Sequence, residues 1–166
     1  YHPEITVVTS IEADHLENYN GDFTELVSTY RQFLENTKPG GVQILCIDDP
    51  QVRSIAEDFP QAVTYGFADD AKWRAEIIDV TPSRTRFTLY KDGDKYGDFS
   101  IRVPGKLYVI NACAAVVVCD LLGLQPEMIA EHLAEFKGTQ RRFQILCETD
   151  QGITVVDDYA HHPTEI

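Results

Sequence analysis

An α/β domain on a parallel sheet with crossover helices, plus an antiparallel β section, is the fold class this 166-residue sequence predicts. Three observations lead there. Short β-branched runs alternate with helix-period segments through residues 5–66, and strand–helix–strand–helix–strand order makes a parallel sheet. Residues 73–103 then turn β-rich, with a hairpin turn signal at Lys91-Asp92-Gly93-Asp94. Apolar residues make up 43% of the chain, with 8 Phe and 8 Tyr, which supplies a core and rules out wholesale disorder.

Taken in order, Ile5 to Thr9 is a buried strand running into the polar loop Ser10 to His15. Asp22 is an N-cap with Glu25 at capping-box spacing, and Phe23, Leu26, Val27, Tyr30, Phe33 and Leu34 repeat at helical period. Lys38-Pro39-Gly40-Gly41 stops that helix. Val42 to Ile47 is a second strand, Pro50 opens a short helix reaching Phe59, and Ala62 to Gly66 is a third strand. The antiparallel section comprises Trp73 to Val80, Arg84 to Tyr90 and Tyr96 to Val103. Tyr108 to Leu122 is an apolar helix closed by Gly123, and Pro126 to Phe136 is another. Lys137 to Gln140 is a linker, beyond which Phe143 to Glu148 and Ile153 to Val156 pair around Asp150-Gln151-Gly152.

Charge narrows the function classes. The 14 basic and 27 acidic residues leave a net −13, which repels phosphate backbones and anionic membranes, so no nucleic-acid or membrane partner is expected. The longest apolar run, Ala112 to Cys119, is far short of a membrane span, and the first residues do not resemble a signal peptide. Cys46, Cys113, Cys119 and Cys147 lack Cys-x-x-Cys spacing and sit in apolar runs, which fits reduced core thiols of a cytoplasmic protein. With no initiating Met, and a final Glu165-Ile166 lying inside a motif, the chain is expected to be a piece of a longer protein.

Four groups of residues could carry chemistry. Glu12-Ala13-Asp14-His15 follows a parallel strand, where it could bind a divalent cation, act as acid and base, or simply cap the next element. Asp157-Asp158-Tyr159-Ala160-His161-His162 crowds acids, a phenol and imidazoles together; Asp158 could accept from ribose hydroxyls, or the segment is an ordinary loop. Arg141-Arg142 could meet phosphate oxygens or neutralise nearby acids. Asn111, read as a buried amide in the first turn of its helix, could satisfy adenine or bond the Pro104-Gly105 loop. The chain has no Gly-x-x-x-x-Gly-Lys-Ser/Thr loop, Gly-x-Gly-x-x-Gly or Gly-x-Ser-x-Gly.

These motifs together resemble the Mur ligase family. The resemblance runs through Thr9 to His15, Tyr19-x-Gly21-Asp22-Phe23, Val103-Pro104-Gly105 with Asn111-Ala112, Gly138-x-x-Arg141-Arg142-Phe143, and Asp157 to Thr164, in the family's order. The last motif is similar to the form in the alanine-adding branch. The resemblance implies a cytoplasmic ligase of peptidoglycan synthesis, and so of cell shape and division, that uses ATP and Mg2+ to join L-alanine to UDP-N-acetylmuramate. Residues 1–137 would be part of the central ATP-binding domain. Residues 138–166 would be the linker and the first strands of a Rossmann-like C-terminal domain that binds the amino acid. His15 would be a magnesium ligand, Asn111 would read adenine, and Asp158 would hold ribose. Arg142 would touch a phosphate after domain closure. Tyr159 and His161 would face the substrates, and Arg142 and His161 are the candidate catalytic residues. Without the phosphate-binding loop, the piece alone would be inactive. A tripeptide-recycling ligase and a non-catalytic nucleotide-binding or scaffold relative are the alternatives. Sister ligases carry a modified Lys where this helix reads Tyr30-Arg31-Gln32-Phe33, which favours the alanine-adding branch. Leu107 and Tyr108 stand where the family usually has His-Asn, and Tyr108 could stack on the base instead.

Overall fold

The computed structural model describes residues 1–161, and its second strand shows why the first part of the sheet is parallel. Strand β1 (Ile5–Val8), helix α1 (Phe23–Glu35), β2 (Val42–Cys46), α2 (Pro50–Ala56) and β3 (Val63–Gly66) follow one another, and the three strands pair in parallel. In β2, Ile44 and Cys46 point to one core and Leu45 to another, so both faces are buried and the run is continuously apolar. Leu45 joins Val8 beneath α1 (Leu26, Leu34) and α2 (Val52, Ile55). Both helices lie on one face because successive right-handed crossovers add strands in one direction.

Six strands make one sheet in the order β1 to β6, with β4 (Trp73–Thr81), β5 (Arg84–Lys91) and β6 (Asp94–Ile101) extending it. β4 pairs in parallel with β3 only through Tyr65↔Trp73 and Gly66↔Arg74. It begins where β3 ends, so a short loop steps sideways and no crossover helix is needed. The β5–β6 hairpin turns at Asp92 (φ 51°) and Gly93 (φ 91°), two residues in the left-handed region that an Asp-Gly turn provides. Helix α3 (Lys106–Leu121) covers the opposite face, placing Val109, Cys113, Val116 and Val117 against Ile44, Tyr65, Phe87 and Leu89. Helix α4 (Pro126–Glu135) packs Ile129 into the same core. β7 (Gln144–Glu148) and β8 (Thr154–Asp157) form a separate antiparallel ribbon.

Several expectations need correction. Asp22 caps α1, but its carboxylate accepts from Thr24 N at 2.7 Å, and Glu25 turns instead to Asn20 Nδ2, so the box does not close. Helix α2 stops at Ala56 rather than Phe59. A 3-10 turn over Leu16–Tyr19 went unforeseen because its left-handed flanks, His15 and Asn20, are not glycine. Helix α3 starts two residues before Tyr108, which moves Asn111 into the second turn, where it is exposed rather than buried. Cys147 is exposed, because among the described residues no second layer covers the β7–β8 ribbon, whereas Cys46 and Cys113 are core thiols as expected. His162, Pro163 and Thr164 of the last motif, with Glu165 and Ile166, lie outside the described residues.

Candidate functional site

Loops at the carboxyl ends of β1, β2 and β3 meet the start of α3, the place where open α/β sheets bind ligands. Direct contacts join them. Asp49 caps α2 by accepting from Gln51 N and Val52 N, and its second oxygen accepts from Ile11 N at 3.3 Å, tying in the loop after β1. Asp48 accepts from Phe67 N and Ala68 N, clamping the loop after β3. A Cβ on Gly66 would stand 2.5 Å from Asp48 Oδ1, so glycine is what lets the two strand ends close up. Lys106 Nζ lies 4.6 Å from the Phe67 ring centroid and brings α3 to this edge. The buried Thr85 hydroxyl donates to Val103 O at 2.9 Å and accepts from Gly105 N at 3.2 Å, fixing the turn that launches α3. Sequence reasoning missed Asp48, Asp49 and Thr85 as positioning residues; the strand-end Asp-Asp-Pro was the signal for the first two.

Residues 141–143 and 157–160 form a small braced unit. Asp158 Oδ2 accepts from Phe143 N at 2.7 Å and Oδ1 from Ala160 N at 2.8 Å. Tyr159 N donates to Arg141 O at 2.8 Å, and the Arg141 guanidinium lies 4.6 Å over the Tyr159 ring. The Tyr159 and His161 rings are 5.1 Å apart, with His161 Nδ1 3.0 Å from Tyr159 O. The two arginines therefore differ. Arg141 is committed to Tyr159 and stands 4.0 Å from Asp157, while Arg142 acts electrostatically on Tyr108.

Tyr108, half-buried on the first turn of α3, lies within electrostatic reach of this unit. Burial pushes its phenol up, the Asp158 charge adds to that, and Arg142 opposes it. Asn111 stands three residues further along α3, on the same side of the helix. Tyr108, with Arg142 and Asp158 in electrostatic reach and Asn111 one turn along the helix, marks the candidate junction. His15 is held by its own loop: its left-handed backbone (φ 53°) follows Asp14, whose Oδ1 accepts its N–H, and Nδ1 is 3.3 Å from Glu17 Oε1. Among the described residues, no group of three acidic, His or Cys side chains could hold a metal ion. Arg31 on α1 pairs with Asp58 beyond the end of α2.

Known proteins resemble the chain along its length. Residues 1–119 match the Mur ligase middle domain. The UDP-N-acetylmuramate–L-alanine ligase of Symbiobacterium thermophilum is 40% identical over 172 aligned residues, covering 100% of this chain and 36% of that protein. Its counterpart in Myxococcus xanthus is 39% identical, over 99% of this chain and 35% of that protein. The crystal structure of the UDP-N-acetylmuramate-alanine ligase from Thermotoga maritima superposes with a TM-score of 0.84 at 29% identity, over 99% of this chain and 36% of that one. The chain therefore spans about a third of the length of the curated relatives it matches.

Proposed function

Because the chain belongs to the Mur ligase family, we propose that it is part of an ATP- and Mg2+-dependent ligase joining L-alanine to UDP-N-acetylmuramate in the cytoplasm. Residues 1–137 are then the later part of the central domain, and residues 138–166 the linker and start of the C-terminal domain. The observation that carries this reading is 40% identity along the whole chain to an alanine-adding ligase.

In this reaction the γ-phosphoryl of ATP passes to the muramate carboxylate, giving an acyl phosphate and ADP. The alanine amine attacks the acyl carbon, the tetrahedral intermediate collapses, and phosphate leaves as the amide forms. Negative charge builds on phosphoryl oxygens, so cations placed around them lower the barrier.

Asn111 can present both donor and acceptor to adenine from the exposed face of α3. Tyr108 offers its ring beside it, replacing by stacking the contact of the His that the family usually has where Leu107 stands. Asp158 keeps acceptor capacity for ribose hydroxyls, since each oxygen takes one backbone N–H and has a lone pair to spare. Arg142 meets phosphoryl oxygens, and Tyr159 and His161 face the substrates and complete the catalytic side. Magnesium, when bound, neutralises phosphate charge; His15 would give it one ligand, with others coming from substrate and the rest of the ligase. The chain alone, without a phosphate-binding loop, does not turn over.

The test is phosphate release by the full-length ligase given Mg-ATP, UDP-N-acetylmuramate and one acceptor at a time. Release with L-alanine and not with glycine or L-serine is the expected result. Release only with the L-Ala-γ-D-Glu-diaminopimelate tripeptide moves the assignment to a recycling ligase, and no release from folded protein removes the enzyme reading.

A further inference from the structure

Acidic residues outnumber basic ones 27 to 14, yet four cations gather at the far end of β4–β5–β6. Two adjoining clefts of about 480 and 410 Å3 lie there and share Ser83 and Arg102 as a common wall. Arg84 and Arg86 line one, and Lys137 lines the other with the Thr139 hydroxyl. Asp79 is the carboxylate among these lining residues, 3.8 Å from Arg86 Nε. Arg102 Nε donates to Ala134 O at 3.0 Å, which fixes the guanidinium at the end of α4, and among the described residues it meets no carboxylate within ion-pair distance. Among the described residues, the side chains of Arg84 and Lys137 meet no carboxylate within ion-pair distance.

Bringing four cations together costs free energy, and Asp79 beside Arg86, with Asp98 acting on the same guanidinium, offsets it only in part. A phosphate group does. Arginine forks match its oxygens bidentately, serine and threonine hydroxyls donate to the remainder, and the cleft volumes suit a small phosphorylated molecule. The overall negative field keeps anions off the rest of the surface. We propose that the two clefts form one phosphate-binding site, separate from the junction at Tyr108, that bridges Arg84 and Arg102 of the sheet to Lys137 of the linker. The linker is already close: Arg102 N donates to Phe136 O at 3.3 Å, and a Cβ on Gly138 would stand 3.0 Å from Val103 Cγ1. Occupancy would pin residues 137–140 to the sheet. This inference stands without the ligase reading.

The experiment is a titration of the full 166-residue chain with inorganic phosphate, and separately with ADP, at constant ionic strength, following the amides of Ser83, Gly138 and Thr139. Saturable shifts below about 30 mM are expected. R84Q and K137Q should each weaken binding about threefold, the worth of an exposed ion pair. K38Q, which removes a cation paired with Glu4 elsewhere, should leave binding unchanged. Amide exchange at 138–140 should slow on saturation. Shifts with ADP alone that still depend on Arg84 would identify a nucleotide as the phosphate source and uphold the site. Shifts that never saturate, or that are indifferent to R84Q and K137Q, would overturn it.

Discussion

Thr85 is fully buried, and its hydroxyl serves both Val103 O and Gly105 N. Thr85→Val keeps the shape and orphans both backbone groups, so it should cost about 1–3 kcal/mol in urea unfolding, while Thr85→Ser should stay near the parent. Gly66→Ala forces Asp48 off Phe67 N and Ala68 N and should cost a similar amount, about 1–3 kcal/mol. Tyr96 gives a pH signature. Its hydroxyl is buried beside Asp120 without reaching hydrogen-bond geometry, and burial and that carboxylate push the phenol up to about 12. The folded pKa lies above the unfolded one, so this contribution is complete below pH 10 and disappears as pH rises from 10 to about 12. Tyr96→Phe should flatten the fall in urea midpoint across that window. An unchanged slope would show that Tyr96 keeps an ordinary pKa.

Elements differ in how openly the sequence declared them. Helix α2 was announced by Asp49-Pro50, a capping acid before a proline at the first helical position. Asp49→Ala should cost about 1 kcal/mol, more than a cap alone on a peptide, because Ile11 N loses its partner too. The Asp92-Gly93 turn was equally plain, and Gly93→Ala should cost about 1 kcal/mol for a side chain at φ 91°. Strand β2 was legible because a strand buried on both faces is apolar throughout. The sideways step from β3 to β4 was not, since periodicity says nothing about where one strand begins beside another. Helix α3 hid its start, because Lys106-Leu107 lies exposed outside the apolar pattern. That offset put Asn111 one turn too early and made it look buried.

Across the whole molecule, the six-stranded sheet with helices on both faces and the β7–β8 ribbon are built differently. Ile145, Leu146, Ile153, Val155 and Val156 are all exposed on the ribbon, and an isolated two-stranded sheet is marginal in water. In the chain by itself, amides of Ile145 and Val155 should lose exchange protection at lower urea than those of Ile44 and Leu89; equal protection would mean the ribbon is part of the cooperative core. The candidate site divides the same way. Individual residues such as His15, Asn111, Arg142 and Asp158 were legible as motifs. That Tyr108 lies within electrostatic reach of the braced 141–160 unit was not, because it depends on the three-dimensional fold.

The central claim is that the start of α3 and this braced unit together hold the nucleotide. Asn111→Ala in the full-length ligase tests it most directly, because the side chain is exposed and its removal should leave the fold intact. The KM for ATP should rise about tenfold or more, as expected when a paired amide is lost, with the KM for alanine unchanged. An unchanged KM for ATP would place the nucleotide elsewhere and contradict the account.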